Sequence, residues 1–346
     1  MERSRARAIR RSLVFATNIL HPLIPLAQRA EAAGFSRAWV TEYNERDALV
    51  RSAVLGMSTT RIGVATGIAY TFTRQPLAAA AAAADIYLAT GGRFTLGLGM
   101  GTRGMRERWY GMDTAHPASA FAEYVAIVKA AWRATGGLKF EGKHYSSSVP
   151  GFAFRERDKL EGLEVWGSGL NAAMLRTAAA TCDGLALHPM ALPGAYWEQV
   201  VKPAVDAGRA RAERPPKIGA WLLTSVHEDE ERARLQAKKN LVFYFSTPSY
   251  QSVAAAMPWT EAAKQVMEAF RADPSPERLA HLVPERMVDD LALAGTPAQV
   301  RARLPKIEAE LAARGADEVV FQIAATAARE EDIIRNADAI IDSCRP

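Results

Sequence analysis

Short apolar runs alternate with longer amphipathic stretches along most of the chain, the pattern of parallel strands joined by helices. Ser12–Ala16, Ala38–Thr41, Arg61–Thr66, Arg93–Gly97, Leu163–Trp166, Gly184–Leu187, Ile218–Thr224 and Glu318–Ile323 read as eight strands. Between them, Ile24–Ala33 reads as a helix ended by Gly34, and Leu77–Ala89 as a helix opened by Pro76. Glu123–Arg133 carries Tyr124, Ile127, Val128 and Ala131 on one helical face. Gly142-Lys143-His144-Tyr145 begins a long irregular connection, and Asn171–Ala180 is a further helix. The stretch from about Ser225 to Ala298 is too long for one crossover and mostly helical in pattern, so it reads as an insertion before the last strand. Eight strands with helices between them predict an α/β fold, a (β/α)8 TIM barrel, as one elaborated domain over 1–346 with its insertion at about 225–298.

One stretch stands apart from this alternation. Thr90 to Gly104 reads T-G-G-R-F-T-L-G-L-G-M-G-T-R-G. Gly91-Gly92 ends the preceding helix, and Gly97, Gly99, Gly101 and Gly104 strip side chains from the end of the strand that follows. Glycine there lets a flat ring or a phosphate reach the backbone; close packing is the competing reason for it. Gly99-x-Gly101-x-x-Gly104 formally matches a dinucleotide fingerprint, but two β/α units precede it, so a Rossmann reading is set aside.

Composition narrows the class further. A hydrophobic fraction of 49% with 23% charged residues fits a globular protein, and no apolar run has the length of a membrane span. The first residues are basic without a signal-type apolar core, so a cytoplasmic location is expected. Two cysteines and six scattered histidines provide neither a disulfide framework nor a metal motif, and no metal is expected. The net charge of +5 is interleaved with acids along helices, as in Glu228–Lys239, so no nucleic-acid stripe is indicated.

At this point the chain resembles the luciferase-like flavin and deazaflavin oxidoreductases over nearly its whole length. The resemblance is carried, in order, by Trp39-Val-Thr-Glu42, by F-T-R-Q-P-L at Phe72–Leu77, by T-G-G-R-F-T-L-G-L-G at Thr90–Gly99, and by G-T-P-A-Q-V from Gly295. It is greatest to the branch that uses coenzyme F420, a 5-deazaflavin that carries hydride. The resemblance implies the barrel independently of the strand count, and a non-proline cis peptide at a bulge in strand three, for which Gly67-Ile68 is the candidate. It also allows a homodimer.

Functional residues of such a barrel lie at the C-terminal ends of its strands. Gly67, Ile68, Ala69, Gly99, Gly101, Thr102 and Arg103 are the expected contacts of the coenzyme. Gly167, Ser168 and Gly169, before the helix from Asn171, are the expected phosphate site, because first-turn N–H groups there are free donors. Arg103 and Arg74 are candidates for an anionic tail. Glu42 and Tyr43 are candidate proton-transfer groups, with Glu107 a substitute carboxylate. Tyr43 and Thr102 stand where sugar-phosphate-oxidising relatives carry histidine and glutamate, so that substrate is not carried over. Glu42 and Glu107 could instead simply pair with neighbouring arginines such as Arg46 and Arg106. Trp166 and His188 are expected to line a substrate pocket, and the aromatic run Tyr244–Tyr250 of the insertion reads as a lid, as helix packing or as a subunit contact. The expectation is thus a coenzyme F420-dependent oxidoreductase acting on a small organic substrate. The alternatives are an FMN-dependent monooxygenase and a flavin-binding protein without catalysis.

Overall fold

The computed structural model describes residues 9–112 and 115–346, so the basic segment before Ile9 lies outside the described residues. Eight parallel strands close on themselves: β1 (Arg10–Phe15), β2 (Arg37–Val40), β3 (Gly63–Thr66), β5 (Phe94–Gly99), β8 (Glu164–Gly167), β9 (Gly184–Leu187), β10 (Lys217–Val226) and β12 (Glu318–Ile323). Each pairs with the next, and β12 pairs back onto β1, which makes the expected (β/α)8 barrel. Four short strands sit outside this circuit. β4 (Ala69–Tyr70) continues β3 after a bulge, and β6 (Gly137–Glu141) and β7 (Ser146–Pro150) form an antiparallel hairpin. β11 (Ala292–Gly295) pairs with the end of β10.

Two expectations are corrected here. The connection beginning at Gly142–Tyr145 is irregular only after Pro150, because Gly142–Tyr145 are the tip of the β6–β7 hairpin. The stretch before the last strand is mostly helical, as in Glu230–Phe245 and Thr260–Ala272, but it also contains β11. The motif from Gly295 has a local explanation. Thr296 caps the helix Pro297–Ala313 through a reciprocal box with Gln299, and Pro297 occupies the first turn, where its missing N–H costs nothing.

Alternate residues of each strand face the barrel axis and stack in layers. The lowest layer is ionic: Arg37 Nη1 donates to Glu318 Oε2 at 2.8 Å, and Lys217 pairs with Glu164. Trp39 Nε1 donates to Glu318 at 3.1 Å and Trp166 Nε1 to Glu164 at 2.9 Å, so the indoles above satisfy the carboxylates below. The middle layer holds Val14, Trp39, Ala65, Trp166, Ala186, Trp221 and Val320. Trp39 lies edge-on to Trp166 and to Trp221, with centroids 5.4 and 5.6 Å apart. Three indoles fit because glycines face them. A Cβ on Gly67 would lie 2.4 Å from Trp221 Cη2, and one on Gly184 would lie 2.3 Å from Trp166.

The bulge after β3 follows from the register. Ala65 pairs with Thr95 and Ala69 with Leu98, so four steps on one strand span three on the other. The Gly67-Ile68 peptide is cis. Backbone pairing lapses opposite Gly97, and the Thr66 hydroxyl replaces it. Oγ1 accepts from Gly97 N–H at 2.8 Å and donates to Gly97 C=O at 2.7 Å. Arg93 of the glycine-rich motif is equally structural: it donates to the carbonyls of Gly56 and Ile62 at 2.7 Å each, tying the helix Ala48–Met57 to the barrel. Among the described residues, no helix is long and apolar enough to cross a membrane.

Candidate active site

The C-terminal ends of the strands form a mouth above the tryptophan layer. By strand alternation its inward positions are Thr41, Gly67, Gly99, Ser168, His188 and Gln322. Two polar atoms there, Thr41 Oγ1 and Gln322 Oε1, are buried without a hydrogen-bond partner. Buried polar atoms are normally paired, so these two mark a place where a ligand or water belongs.

The glycines have specific surroundings. A Cβ on Gly97 would lie 1.9 Å from the Thr66 carbonyl oxygen, so Gly97 makes room for the bulge. A Cβ on Gly99 would lie 2.3 Å from Ile68 Cδ1, so the Ile68 side chain covers Gly99 and itself faces the mouth. Gly101 has φ of 55°, in the left-handed region that favours glycine, and lies against Phe72. Thr102 Oγ1 accepts from Met105 N–H at 3.3 Å, at the start of the short π-helix Met105–Trp109.

Glu42 is buried at the rim. Arg74 clasps it, with Nη1 to Oε2 at 2.9 Å and Nη2 to Oε1 at 3.2 Å, and Thr73 Oγ1 donates to Oε1 at 3.0 Å. Arg74 also holds Asp47 at 2.8 Å. Burial raises the Glu42 carboxyl above its ordinary range, and the Arg74 charge only partly opposes this. The partner is therefore Arg74, thirty-two residues away, and not Arg46. Arg46 instead donates to the Ala16 carbonyl at 2.9 Å and to the Asn18 side chain, and lies 5.4 Å over the Tyr43 ring. Tyr43 meets Trp109 edge-on at 4.9 Å, and burial raises its phenol.

Glu107 lies away from this clasp. It pairs at 2.5 Å with Arg103 one helical turn earlier, and both side chains are exposed. Arg106, one residue before it, donates to the Met100 and Gly101 carbonyls at 2.9 and 3.2 Å.

On the β8 side, Gly167 faces outward, where a Cβ would lie 2.8 Å from Ala178 and Cys182 of the covering helix. Ser168 N–H donates to Leu98 C=O at 3.1 Å. Gly169 passes close to Met174, and Asn171 Oδ1 caps the helix Ala172–Thr181 by accepting from Met174 N–H at 3.0 Å. The N–H groups of Ala172 and Ala173 lack intrahelical acceptors by helix geometry. Trp166, expected on a pocket wall, is fully buried in the middle layer of the barrel.

His188 is at the mouth. Its Nδ1 accepts from Met190 N–H at 3.2 Å, which leaves the proton of the neutral ring on Nε2, 3.4 Å from the Tyr250 hydroxyl. Burial lowers its pKa to about 3. Tyr244 lies edge-on to it at 4.9 Å, and the Tyr244 hydroxyl accepts from Gln322 Nε2 at 2.5 Å. Tyr244 and Tyr250 thus come from the helical stretch and lean over the barrel. Sequence reasoning missed Thr41 and Gln322 as site residues. The available signal was a polar residue at an inward position of a buried strand, as in E-V-V-F-Q-I. A cleft of about 620 Å³ lies outside the mouth, lined by Gln75, Met112, His116, Lys143 and Tyr145 among others.

Comparison with known proteins agrees with the barrel. Residues 10–318 match the model of the luciferase-like monooxygenase family. A provisionally named coenzyme F420-dependent oxidoreductase of Mycobacterium tuberculosis is 26% identical over 301 residues, covering 82% of this chain and 86% of that protein. The structure of the coenzyme F420-dependent tetrahydromethanopterin reductase of Methanopyrus kandleri superposes with a TM-score of 0.75 at 21% identity, over 97% of this chain and 98% of that one. A type II Baeyer-Villiger monooxygenase of Pseudomonas putida, solved with FMN, superposes with a TM-score of 0.66 at 16% identity, over 98% of each chain.

Proposed function

The chain belongs to the luciferase-like monooxygenase family, and on that premise we propose that it is a coenzyme F420-dependent oxidoreductase acting on a small organic substrate. The observation that carries the reading is the mouth itself. Above the indole layer it offers glycine and Ile68 in place of bulky side chains, with two unmatched polar atoms, Thr41 Oγ1 and Gln322 Oε1, at its edge. A flat ring with polar edges suits that combination, and the named relatives supply the coenzyme. When bound, the deazaflavin supplies two-electron hydride chemistry.

The chain's own residues do the rest. Gly67, Ile68, Ala69, Gly99 and Gly101–Arg103 are proposed to hold the ring, and Gly167–Gly169 with the helix N-terminus to hold the phosphate. The Cβ contacts at Gly67, Gly99 and Gly167 give those glycines a packing duty as well. Glu42, raised by burial and clasped by Arg74, and Tyr43 at the rim are the proposed proton-handling groups. Glu107, with its exposed Arg103 partner, is left to shape the charge at the entrance. His188 stays neutral, with its Nε2–H beside the Tyr250 hydroxyl at the pocket. A second reading, use of FMN with oxygen, is supported by the FMN-bound neighbour.

Titration of the purified protein with oxidised coenzyme F420, and with FMN in both redox states, tests the proposal. Tighter binding of the deazaflavin is the expected result. Preference for reduced FMN would favour the monooxygenase, and binding of neither would overturn both.

A further inference from the structure

Aromatic rings line both sides of the mouth. On one side Tyr70 stacks on Phe72 at 4.9 Å, Phe72 meets Tyr110 at 5.2 Å, and Tyr43 meets Trp109 at 4.9 Å. On the other, Tyr244 and Tyr250 flank His188. Trp109, Tyr110 and Met112 remain 41%, 37% and 42% exposed, so three large apolar side chains within four residues face solvent at the rim. Such a cluster marks a binding surface.

Each buried charge at this rim has a partner within the chain, although the Nε atoms of Arg46 and Arg106 are left without one among the described residues. Glu42 and Asp47 share Arg74. Arg51 donates to the Thr17 and Asn18 carbonyls at 2.7 and 2.6 Å, and Arg46 and Arg106 likewise serve backbone carbonyls. An anionic substrate would have to compete with these carbonyls and carboxylates for the buried guanidiniums. A neutral one gains aromatic contact on both faces without disturbing them.

Resting on the reading of the mouth as a redox site, we propose that the substrate is an uncharged, flat aromatic or conjugated compound, held between the Phe72–Trp109–Tyr110 wall and the Tyr244–Tyr250 wall. Trp109 and Tyr110 are its binding residues. The partly exposed position of both allows substitution without a folding defect.

The test is calorimetric titration of the full chain, with and without saturating coenzyme F420. The probes are 2-acetonaphthone (neutral, aromatic), 2-naphthyl phosphate (the same ring, anionic) and cyclohexanone (neutral, not aromatic). The ketone of naphthalene should bind one to one and at least about tenfold more tightly than either of the others. Trp109→Ala should weaken it about tenfold, and Trp109→Phe should restore most of the loss. Equal or tighter binding of the phosphate, or an unchanged Trp109→Ala, would overturn the proposal. So would absent ketone binding together with a dimer that Trp109→Ala converts to monomer in sedimentation, since a second copy would then cover the patch. Coenzyme binding without ketone binding sinks this inference alone, whereas ketone binding without coenzyme binding sinks the deazaflavin reading alone.

Discussion

The hydroxyl of Thr66 stands in for the strand pairing that the bulge removes, and its deletion should be costly. Thr66→Val keeps the shape and nearly the volume of the side chain but deletes both hydrogen bonds to Gly97. Thr66 is fully buried, and a Cβ on Gly97 would already meet the Thr66 carbonyl at 1.9 Å, so water has no room to substitute. An unsatisfied buried backbone group costs roughly 1–3 kcal/mol, and two are created. The expected loss is therefore about 2–6 kcal/mol, a large part of the roughly 5–15 kcal/mol typical of a folded protein. Thr66→Ser keeps the hydroxyl and should lose about 1 kcal/mol, for one methyl. Urea denaturation followed by tryptophan fluorescence reads this well, because Trp39, Trp166 and Trp221 fill the adjacent layer. Amide exchange at Gly97 gives a local readout that does not depend on a two-state transition. If Thr66→Val and Thr66→Ser agree within about 0.5 kcal/mol and Gly97 exchange is unchanged, the hydroxyl does not satisfy the bulge and the argument fails.

Two further predictions concern charge. His188 has its pKa lowered by burial, to about 3, so the unfolded chain takes up its proton first as pH falls. Its contribution to stability is present above about pH 6.5 and declines at roughly 1.4 kcal/mol per unit below that, down toward pH 3. In carbon-13 NMR of labelled histidine the His188 ring should not titrate between pH 8 and 5, and His188→Gln should remove its resonance and flatten the acid limb of stability. A His188 midpoint near 6.5 would contradict the geometry. Arg74→Met strands the buried Glu42 carboxylate and should cost about 3–5 kcal/mol at pH 7, with Glu42→Gln in the same chain restoring part of it. Additive losses in denaturation would show that the two residues do not act as a pair.

Much of the fold was legible because a parallel barrel writes its strands as short apolar runs. Each is bounded by a polar or glycine-rich loop, and all eight fell where the runs stood. The elements that escaped are the ones whose signals are local and weak. The helix Pro117–Arg133 begins six residues before the expected Glu123, because Pro117 at its first turn reads as a break as easily as a start. The β6–β7 hairpin turns through Gly142–Tyr145 without an Asn-Gly or Asp-Gly signal, and the four residues of β11 are too few to show periodicity.

The site was legible by residue type and hidden in its pairings. Glu42 stands out as a carboxylate after a strand, yet whether it is a free base or a clasped one depends on Arg74, brought beside it by the loop after β4. The glycines invite a ligand explanation, and the structure gives them a second one. Gly97, Gly99 and Gly67 are the residues that let the bulge, Ile68 and Trp221 sit where they do. These explanations are not rivals. A bulge that drives Ile68 over Gly99 needs small residues beneath it, and the same small residues leave the mouth wide enough for a ring above. A family motif at this position can therefore persist for its packing alone. What distinguishes a binding site from a packed strand end is the pair of unmatched atoms, Thr41 Oγ1 and Gln322 Oε1. Packing alone gives no reason to keep a hydroxyl and an amide oxygen buried and unpartnered at inward positions, whereas a ligand with polar edges does.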